Sequence, residues 1–376
     1  MKAIVNAKFI LEDKILEDKI LLFDEKLFGF VNAVPSNVSE TIDAQGAYVS
    51  AGFIDIHIHG SGGSDVMDAT QEALNTISMS VLQSGTTSFL PTTMTMSTEV
   101  INSALKNIQE YGKKVEGATV LGVHLEGPFI SVEKHGAQDK TYVQEPNMAL
   151  IRPYLDEIKM ITLAPELEGA KAFIEEVKHI KPAMVLSIGH SGANYEKSKE
   201  SFKWGISHAT HIFNAMDPYH HRKPGVLGAV FDSEEVTCDI IADLVHTEPS
   251  TLKLAYKIKK EKLLLITDAI RAGCMKCGTY DLGGREVCVE NGKATLDDGT
   301  LAGSVLAMNT AIRNMKKHTE MTLTEVIASV TSAPAKMLGI QKGLLKEKYD
   351  ADIAIFDEDF SIIRTIVAGD VKYKRE

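Results

Sequence analysis

Cysteine is scarce in this chain, with four in 376 residues, too few for a disulfide framework. Only Cys274 and Cys277 stand close together, as Cys-x-x-Cys. No second pair lies within zinc-ribbon distance and no thioredoxin-like context surrounds the first. Its segment, residues 273–299, is rich in glycine and turn residues and reads as a hairpin insertion with no metal or redox role. Cys238 sits in an apolar run and reads as packing. Long apolar stretches are missing too: nothing approaches the ~18 residues of a membrane span. No charged-then-apolar leader follows Met1, so the expected compartment is the cytoplasm. Positive charge is in deficit, at a formal net −11, which argues against nucleic acid or an anionic membrane as partner. An anionic small substrate stays open, provided that basic groups gather locally. Gly60-Ser-Gly-Gly63 has the glycines of a phosphate cradle but not the Gly-Lys-Ser/Thr ending, and reads as a flexible loop.

What the chain does have is enough apolar material, 44% of its residues, for a large core. Residues 1–50 read as short alternating strands (Lys2-Ala-Ile-Val, Lys19-Ile-Leu-Leu-Phe, Ala47-Tyr-Val) broken by turns. Ile10-Leu-Glu-Asp-Lys14 is repeated at once as Ile15-Leu-Glu-Asp-Lys19, too short a unit for a solenoid and explained by strands of period two. Ala351–Phe356 and Ile362–Ala368 are strand-like again. Two terminal β segments, 1–50 and 344–376, are expected to pair into one small sandwich, leaving 51–343 as an inserted domain.

Between them, apolar β-branched runs alternate with amphipathic helical stretches. The runs are Phe53–His59, Thr86–Pro91, Val120–Glu126, Met160–Ala164, Met184–His190, Ile206–His211, Val236–Val245 and Leu263–Asp268. Helix candidates include Thr70–Gln83, Glu99–Tyr111, Ala170–His179, Asn194–Lys203 and Glu248–Lys259. Eight βα units in this length predict an α/β fold, a TIM-like (β/α)8 barrel. Periodicity does not show closure, so an open doubly wound sheet is the alternative.

A barrel carries its active groups at the C-terminal ends of its strands. The first run ends in His57-Ile-His59, whose imidazoles, two apart, face one point. Neutral imidazole is a common ligand of divalent transition metals, so this strand mouth reads as half a metal site. The third run ends in His124-Leu-Glu126-Gly-Pro-Phe129 and the fifth in Gly189-His190-Ser191. The sixth carries Ser207-His208-Ala-Thr-His211-Ile-Phe-Asn214-Ala-Met216. The seventh finishes at Asp243-Leu-Val-His246 and the eighth at Thr267-Asp268. Titratable residues are expensive to bury without partners. Their recurrence at the same end of six apolar strands points to one shared site.

With these motifs the chain resembles the amidohydrolase superfamily and, within it, the N-acetylglucosamine-6-phosphate deacetylase family. His-Leu-Glu-Gly-Pro, Gly-His-Ser, His-Ile-Phe-Asn-Ala-Met and Leu-Ile-Thr-Asp carry the likeness, which covers essentially the whole chain. Glu126 stands where many superfamily members use a carboxylated lysine. The resemblance implies a principal metal site of Glu126, His190 and His211, with His57 and His59 adding a second ion bridged through Glu126. It implies Asp268 as proton shuttle in hydrolysis of N-acetyl-D-glucosamine 6-phosphate to glucosamine 6-phosphate and acetate. The donor set suits zinc, iron(II) or related ions, one or two per subunit. Substrate contacts implied by the family are Ala137, Gln138, Asn214, Ala215, His246 and the segment Leu306-Ala307-Met308. Some relatives carry a histidine in place of Gln138, held to polarise the carbonyl; here that task falls to the metal or His246. Arg222, in the basic run His220–Lys223, matches an arginine that reaches the neighbouring subunit's phosphate, which implies a homodimer. Other readings of the residues are an N-acyl amino acid deacetylase, a cyclic amidase, or a non-catalytic metal-binding protein on the same fold.

Overall fold

The period-two runs at the two ends of the chain pair with one another. In the computed structural model, which describes residues 1–376, Tyr48–Ala51 lies antiparallel to Ile353–Phe356, with Val49 opposite Ile355. Around this pair a six-stranded sheet runs in the order Asp370–Lys374, Ile362–Val367, Ile353–Phe356, Tyr48–Ala51, Lys8–Ile10, Ile15–Leu16. A second sheet holds Leu27–Val31, Ile20–Phe23, Lys2–Val5 and Glu40–Asp43. Ile4, Phe9, Leu21, Phe23, Val49 and Ile355 share one buried cluster drawn from both sheets. The tandem Ile-Leu-Glu-Asp-Lys closes a hairpin: Ile10 pairs with Ile15, and Glu12 and Asp13 are exposed at its bend. Several strands here, Leu27–Val31 and Asp370–Lys374 among them, are absent from the sequence reading. They are partly exposed, so little apolar alternation marks them.

The middle of the chain forms eight parallel strands in sequential order. Phe53–Ile58 pairs with Thr86–Pro91, and Val123–Glu126 leads a continuous sheet through Ile158–Leu163, Val185–Ile188, Ile206–Ala209, Thr237–Ile241 and Leu263–Ile266. Single parallel bridges span the two remaining gaps, Thr92 to His124 and Ile58 to Ala269. The sheet therefore closes, and the open alternative drops out. The third run is split into Thr119–Val120 and Val123–Glu126, because Gly122 sits at φ 141° between them. A Cβ there would collide with the Glu157 carbonyl. Helices cover the outside with one apolar face each; Thr98–Tyr111, capped by the Ser97 hydroxyl, buries Ile101, Leu105 and Ile108. No helix is long and apolar enough to cross a membrane.

The barrel interior is not all aliphatic. Under its mouth, Ser187, Thr210, Thr162 and His124 make a buried hydrogen-bonded row: Ser187 Oγ to Thr210 Oγ1 2.6 Å, Thr210 Oγ1 to Thr162 Oγ1 2.8 Å, Thr162 Oγ1 to His124 Nε2 2.7 Å. His124 Nδ1 ends the row on the Ile56 carbonyl, at 3.1 Å. After the eighth strand, the glycine-rich segment folds as three antiparallel strands, Gly278–Leu282, Arg285–Glu290 and Lys293–Thr295. The third strand goes beyond the expected hairpin. Asn291 and Gly292 both have positive φ, the turn that returns the chain once more. This insertion has its own small core, including Leu282, Val287, Val289 and Leu296, which also takes in Met94 and Ile270 beside the barrel mouth.

Candidate metal centre and its cleft

Period two along the first and third strands aims His57, His59 and Glu126 out of the barrel mouth. The other ligand candidates stand just past strand ends, where the chain must bend sharply. His190, His211 and Asp268 all have left-handed backbones, at φ 48°, 32° and 49°. Such a conformation costs an L-residue about 1–3 kcal/mol and persists only where neighbours enforce it. They do so here. Ser131 N–H donates to the His190 carbonyl at 2.9 Å, Asp268 N–H donates to the His57 carbonyl at 2.9 Å, and Ser304 N–H donates to the Asp268 carbonyl at 2.8 Å. The Asp239 carboxylate accepts from the His211 N–H.

These constraints gather four imidazoles and two carboxylates. Glu126 Oε1 lies 3.0 Å from His211 Nε2, 3.3 Å from His190 Nε2 and 3.5 Å from His57 Nε2. Its other oxygen lies 3.3 Å from His59 Nε2. Asp268 Oδ1 faces the same pair, 3.3 Å from His57 Nε2 and 3.2 Å from His59 Nε2. Two overlapping donor groups result, His57–His59–Glu126 and Glu126–His190–His211, all buried. Ligand atoms set tetrahedrally about 2.1 Å from an ion stand about 3.4 Å apart, which these separations match. The donor set therefore fits one divalent ion, or two sharing Glu126.

Ring orientation is fixed unevenly. His59 Nδ1 faces the Thr92 carbonyl at 3.2 Å and His190 Nδ1 the Lys134 carbonyl at 2.8 Å. The Nδ1 atoms of His57 and His211 are buried without partners. His57 instead rests edge-on against the His124 ring, with centroids 4.6 Å apart. Burial holds His124 well below the usual imidazole range, so a neutral ring lies beneath the cluster.

Charge at the centre follows from this crowding. Burial pushes the Glu126 carboxyl up, but the facing His57 and His190, with hydrogen bonds from His190 and His211, hold it well below the carboxylate range. Asp268 feels the same opposition; burial raises it while His57, His59 and His211 bring it down to about 2. Burial lowers His211, yet the bond to Glu126 prevails and raises it to about 9. His59 is likewise lifted well above its ordinary value by Asp268 and Glu126, against burial. Behind the mouth, burial lifts Asp55 to about 6 while its oxygens accept from Thr267 Oγ1 at 2.6 Å and His57 N–H at 3.2 Å.

Above the cluster is a cleft of about 270 Å³, lined by His59, Glu126, His190, His211 and Asp268 and also by Ala137, Gln138, Asn214, Ala215 and His246. His57 lies directly beneath, fully buried. Gln138 is tightly held, its Nε2 donating to Glu126 Oε2 at 2.8 Å and its Oε1 accepting from Thr95 N–H at 2.7 Å. His246 is oriented by Asp243, whose Oδ2 is 2.7 Å from its Nδ1. Arg222 is exposed, with its Nη1 2.7 Å from His221 Nε2, and does not line the cleft of its own chain. Leu306, Ala307 and Met308 are not among the residues that line it. Leu306 and Met308 belong to the main apolar core and Ala307 begins the helix Met308–His318, so in this chain the segment packs a helix start. A second crevice of about 250 Å³, between residues 10–14 and the far end of the barrel, has no imidazole or thiol in its lining.

The opposite wall went unread in the sequence. Leu282 comes from the insertion and Thr300, Leu301 and Gly303 from the segment that leaves it, with Met94 and Ile270 beside them. Arg285 Nη1 donates to the Ala137 carbonyl at 3.0 Å and ties the insertion to the Gln138 loop. Nothing in local pattern marks these residues. By contrast His124 and His208 alternate with Glu126 and Thr210, a signal that would have placed them inside the barrel. Cys274 and Cys277 are exposed free thiols. Cys238 is buried, and burial pushes its thiol up to about 12.

A closed parallel barrel with this donor cluster at its C-terminal mouth defines a metal-dependent hydrolase. The chain belongs to the amidohydrolase family, whose model matches residues 48–372. It is 38% identical over 356 residues to the N-acetylglucosamine-6-phosphate deacetylase of Lysinibacillus sphaericus, covering 93% of this chain and 92% of that protein. It is 33% identical over 378 residues to the N-acetylgalactosamine-6-phosphate deacetylase of Escherichia coli O157:H7, covering 98% and 99%. The crystal structure of N-acetylglucosamine-6-phosphate deacetylase from Pasteurella multocida superposes with a TM-score of 0.94 at 32% identity, covering 100% of both chains.

Proposed function

We propose that this enzyme hydrolyses N-acetyl-D-glucosamine 6-phosphate to D-glucosamine 6-phosphate and acetate. The observation that carries the reading is the convergence of Glu126, His190 and His211 with Asp268 at the floor of one cleft. Glu126, His190 and His211 would hold the principal ion, and His57 and His59, with Glu126, offer donors for a second. Zinc and iron(II) suit these donors best. When bound, the ion supplies a water of lowered pKa and electrostatic stabilisation of the oxyanion.

Asp268 does the proton work. Its carboxylate stands beside His57 and His59 at the cleft floor, as acceptor for the attacking water's proton. The same oxygen then returns that proton to the departing amine, which leaves poorly as an anion. The strained backbone at Asp268 fixes the carboxylate beside His57 and His59. Asn214, Ala215, Ala137 and Gln138 orient the sugar, and His246, braced by Asp243, faces its phosphate. Arg222 completes the phosphate site of the neighbouring subunit in a cytoplasmic homodimer.

The test is acetate release from the purified, metal-supplied protein; none released would refute the reading. The Escherichia coli relative motivates a second substrate, the galacto epimer, and kcat/KM for the two epimers decides between them. Comparison with unphosphorylated N-acetylglucosamine separates this reading from an amino-acid deacetylase or a cyclic amidase, which need no phosphate.

A further inference from the structure

A ligating histidine is ordinarily fixed through the ring nitrogen that faces away from the ion. His59 and His190 follow that pattern through backbone carbonyls. His211 does not, since its Nδ1 is buried with no partner. Its backbone, at φ 32°, is also in a region that L side chains rarely adopt. Something other than the ring must hold it.

Asp239, on the seventh barrel strand, is placed to do so. Its Oδ1 accepts the His211 backbone N–H, and its own carbonyl accepts the Ile212 N–H at 3.0 Å. Its Oδ2 lies 2.8 Å from His208 Nε2. His208 Nδ1 is 2.7 Å from Thr237 Oγ1, whose hydroxyl donates to the Ser207 carbonyl at 3.2 Å. Asp239 and His208 are fully buried and neither lines the cleft. A carboxylate sealed inside the barrel is costly; one of its oxygens is committed to the turn that carries His211 and the other to the His208 ring on the strand leading into that turn.

We infer that Asp239, braced by His208 and Thr237, is a positioning residue that locks the His211 backbone and aims its Nε2 at Glu126. The inference rests on the proposed reading of His211 as a metal ligand. Cobalt(II) titration of the metal-free protein tests it, with affinity, visible spectrum and unfolding midpoint as readouts. Asp239→Asn keeps an oxygen for His211 N–H and an amide for His208, and should bind within about threefold of the parent, whereas Asp239→Ala should bind about 10–100-fold more weakly. The alanine variant should also show an altered spectrum, which lost fold stability alone would not produce. Parent affinity and spectrum in Asp239→Ala overturns the inference and leaves the metal reading intact. Equal weakening in both variants also overturns it, because charge and not geometry would then matter. Failure of the parent to bind cobalt sinks the metal reading itself. Should Asp239→Ala not fold, the intact chain labelled with 15N-histidine gives the answer. A slowly exchanging, downfield His211 amide supports the lock, and a rapidly exchanging one overturns it.

Discussion

The barrel mouth and the three-stranded insertion face each other across one cleft, yet they contribute opposite things. Every titratable group in the lining comes from strand exits of the barrel, whereas the insertion and the segment leaving it supply Leu282, Thr300, Leu301 and Gly303. The mouth sits on the large core, of 68 buried residues, while the insertion has a core of 9. Strained, charged groups need a rigid frame, because their geometry must survive the cost of their own conformation. A wall that shapes a substrate does not. Chemistry is therefore built on the barrel and substrate fit on its appendage.

The largest effect should come from the mouth. Asp268→Asn keeps the shape but removes the proton acceptor, so kcat should fall about 10²–10⁴-fold. Metal stoichiometry should stay unchanged; an unaltered kcat removes Asp268 from the mechanism. Next comes proton competition at the same mouth. A metal must displace the protons that His59 and His211 hold, so affinity should rise with pH through about 9, where His211 loses its proton, roughly tenfold per unit for each proton displaced. The sign for stability is opposite. His211 has a folded value raised above the ordinary imidazole value of about 6.5. Its contribution to the metal-free fold is complete below that pH and is lost as pH rises through about 9. Thermal melts of the metal-free chain should therefore show that loss, and melts of the metal-loaded chain should not. A flat metal-free profile would show that the imidazoles share no protons with Glu126.

The smallest effect should come from the wall. Arg285→Ala releases the Ala137 carbonyl from the insertion, and KM for the phosphorylated sugar should rise about tenfold with kcat and metal affinity nearly unchanged. Steady-state kinetics alongside metal titration checks it. A matching fall in metal affinity would mean that the insertion also shapes the ion site, and the division between mouth and wall would be erased.

How far the site was legible follows the same division. His57, His59, Glu126, His190, His211 and Asp268 could be read because polar residues ending apolar runs violate local pattern, and a violation is visible in one dimension. The cleft wall obeys local pattern: Leu282 reads as a strand residue and Thr300 as a turn residue. Leu306-Ala307-Met308 shows the converse, a motif matched in sequence in which the Leu306 and Met308 side chains go to the core and Ala307 precedes a helix start. His124 and Asp239 lay between, polar groups on buried strands whose partners, Thr162 and the His211 backbone, are 38 and 28 residues away.

By itself the sequence determined the alternation of strand and helix, the end of the sheet at which chemistry collects, and the ligand types offered there. Periodicity is local, and burial of an apolar face enforces it residue by residue. Closure of the barrel, the sharing of Glu126 between two groups of imidazoles, and the left-handed turns that aim His190, His211 and Asp268 were decided only in three dimensions. Each depends on contacts between distant segments, whose combined hydrogen bonds and packing outweigh the local backbone preferences that they override.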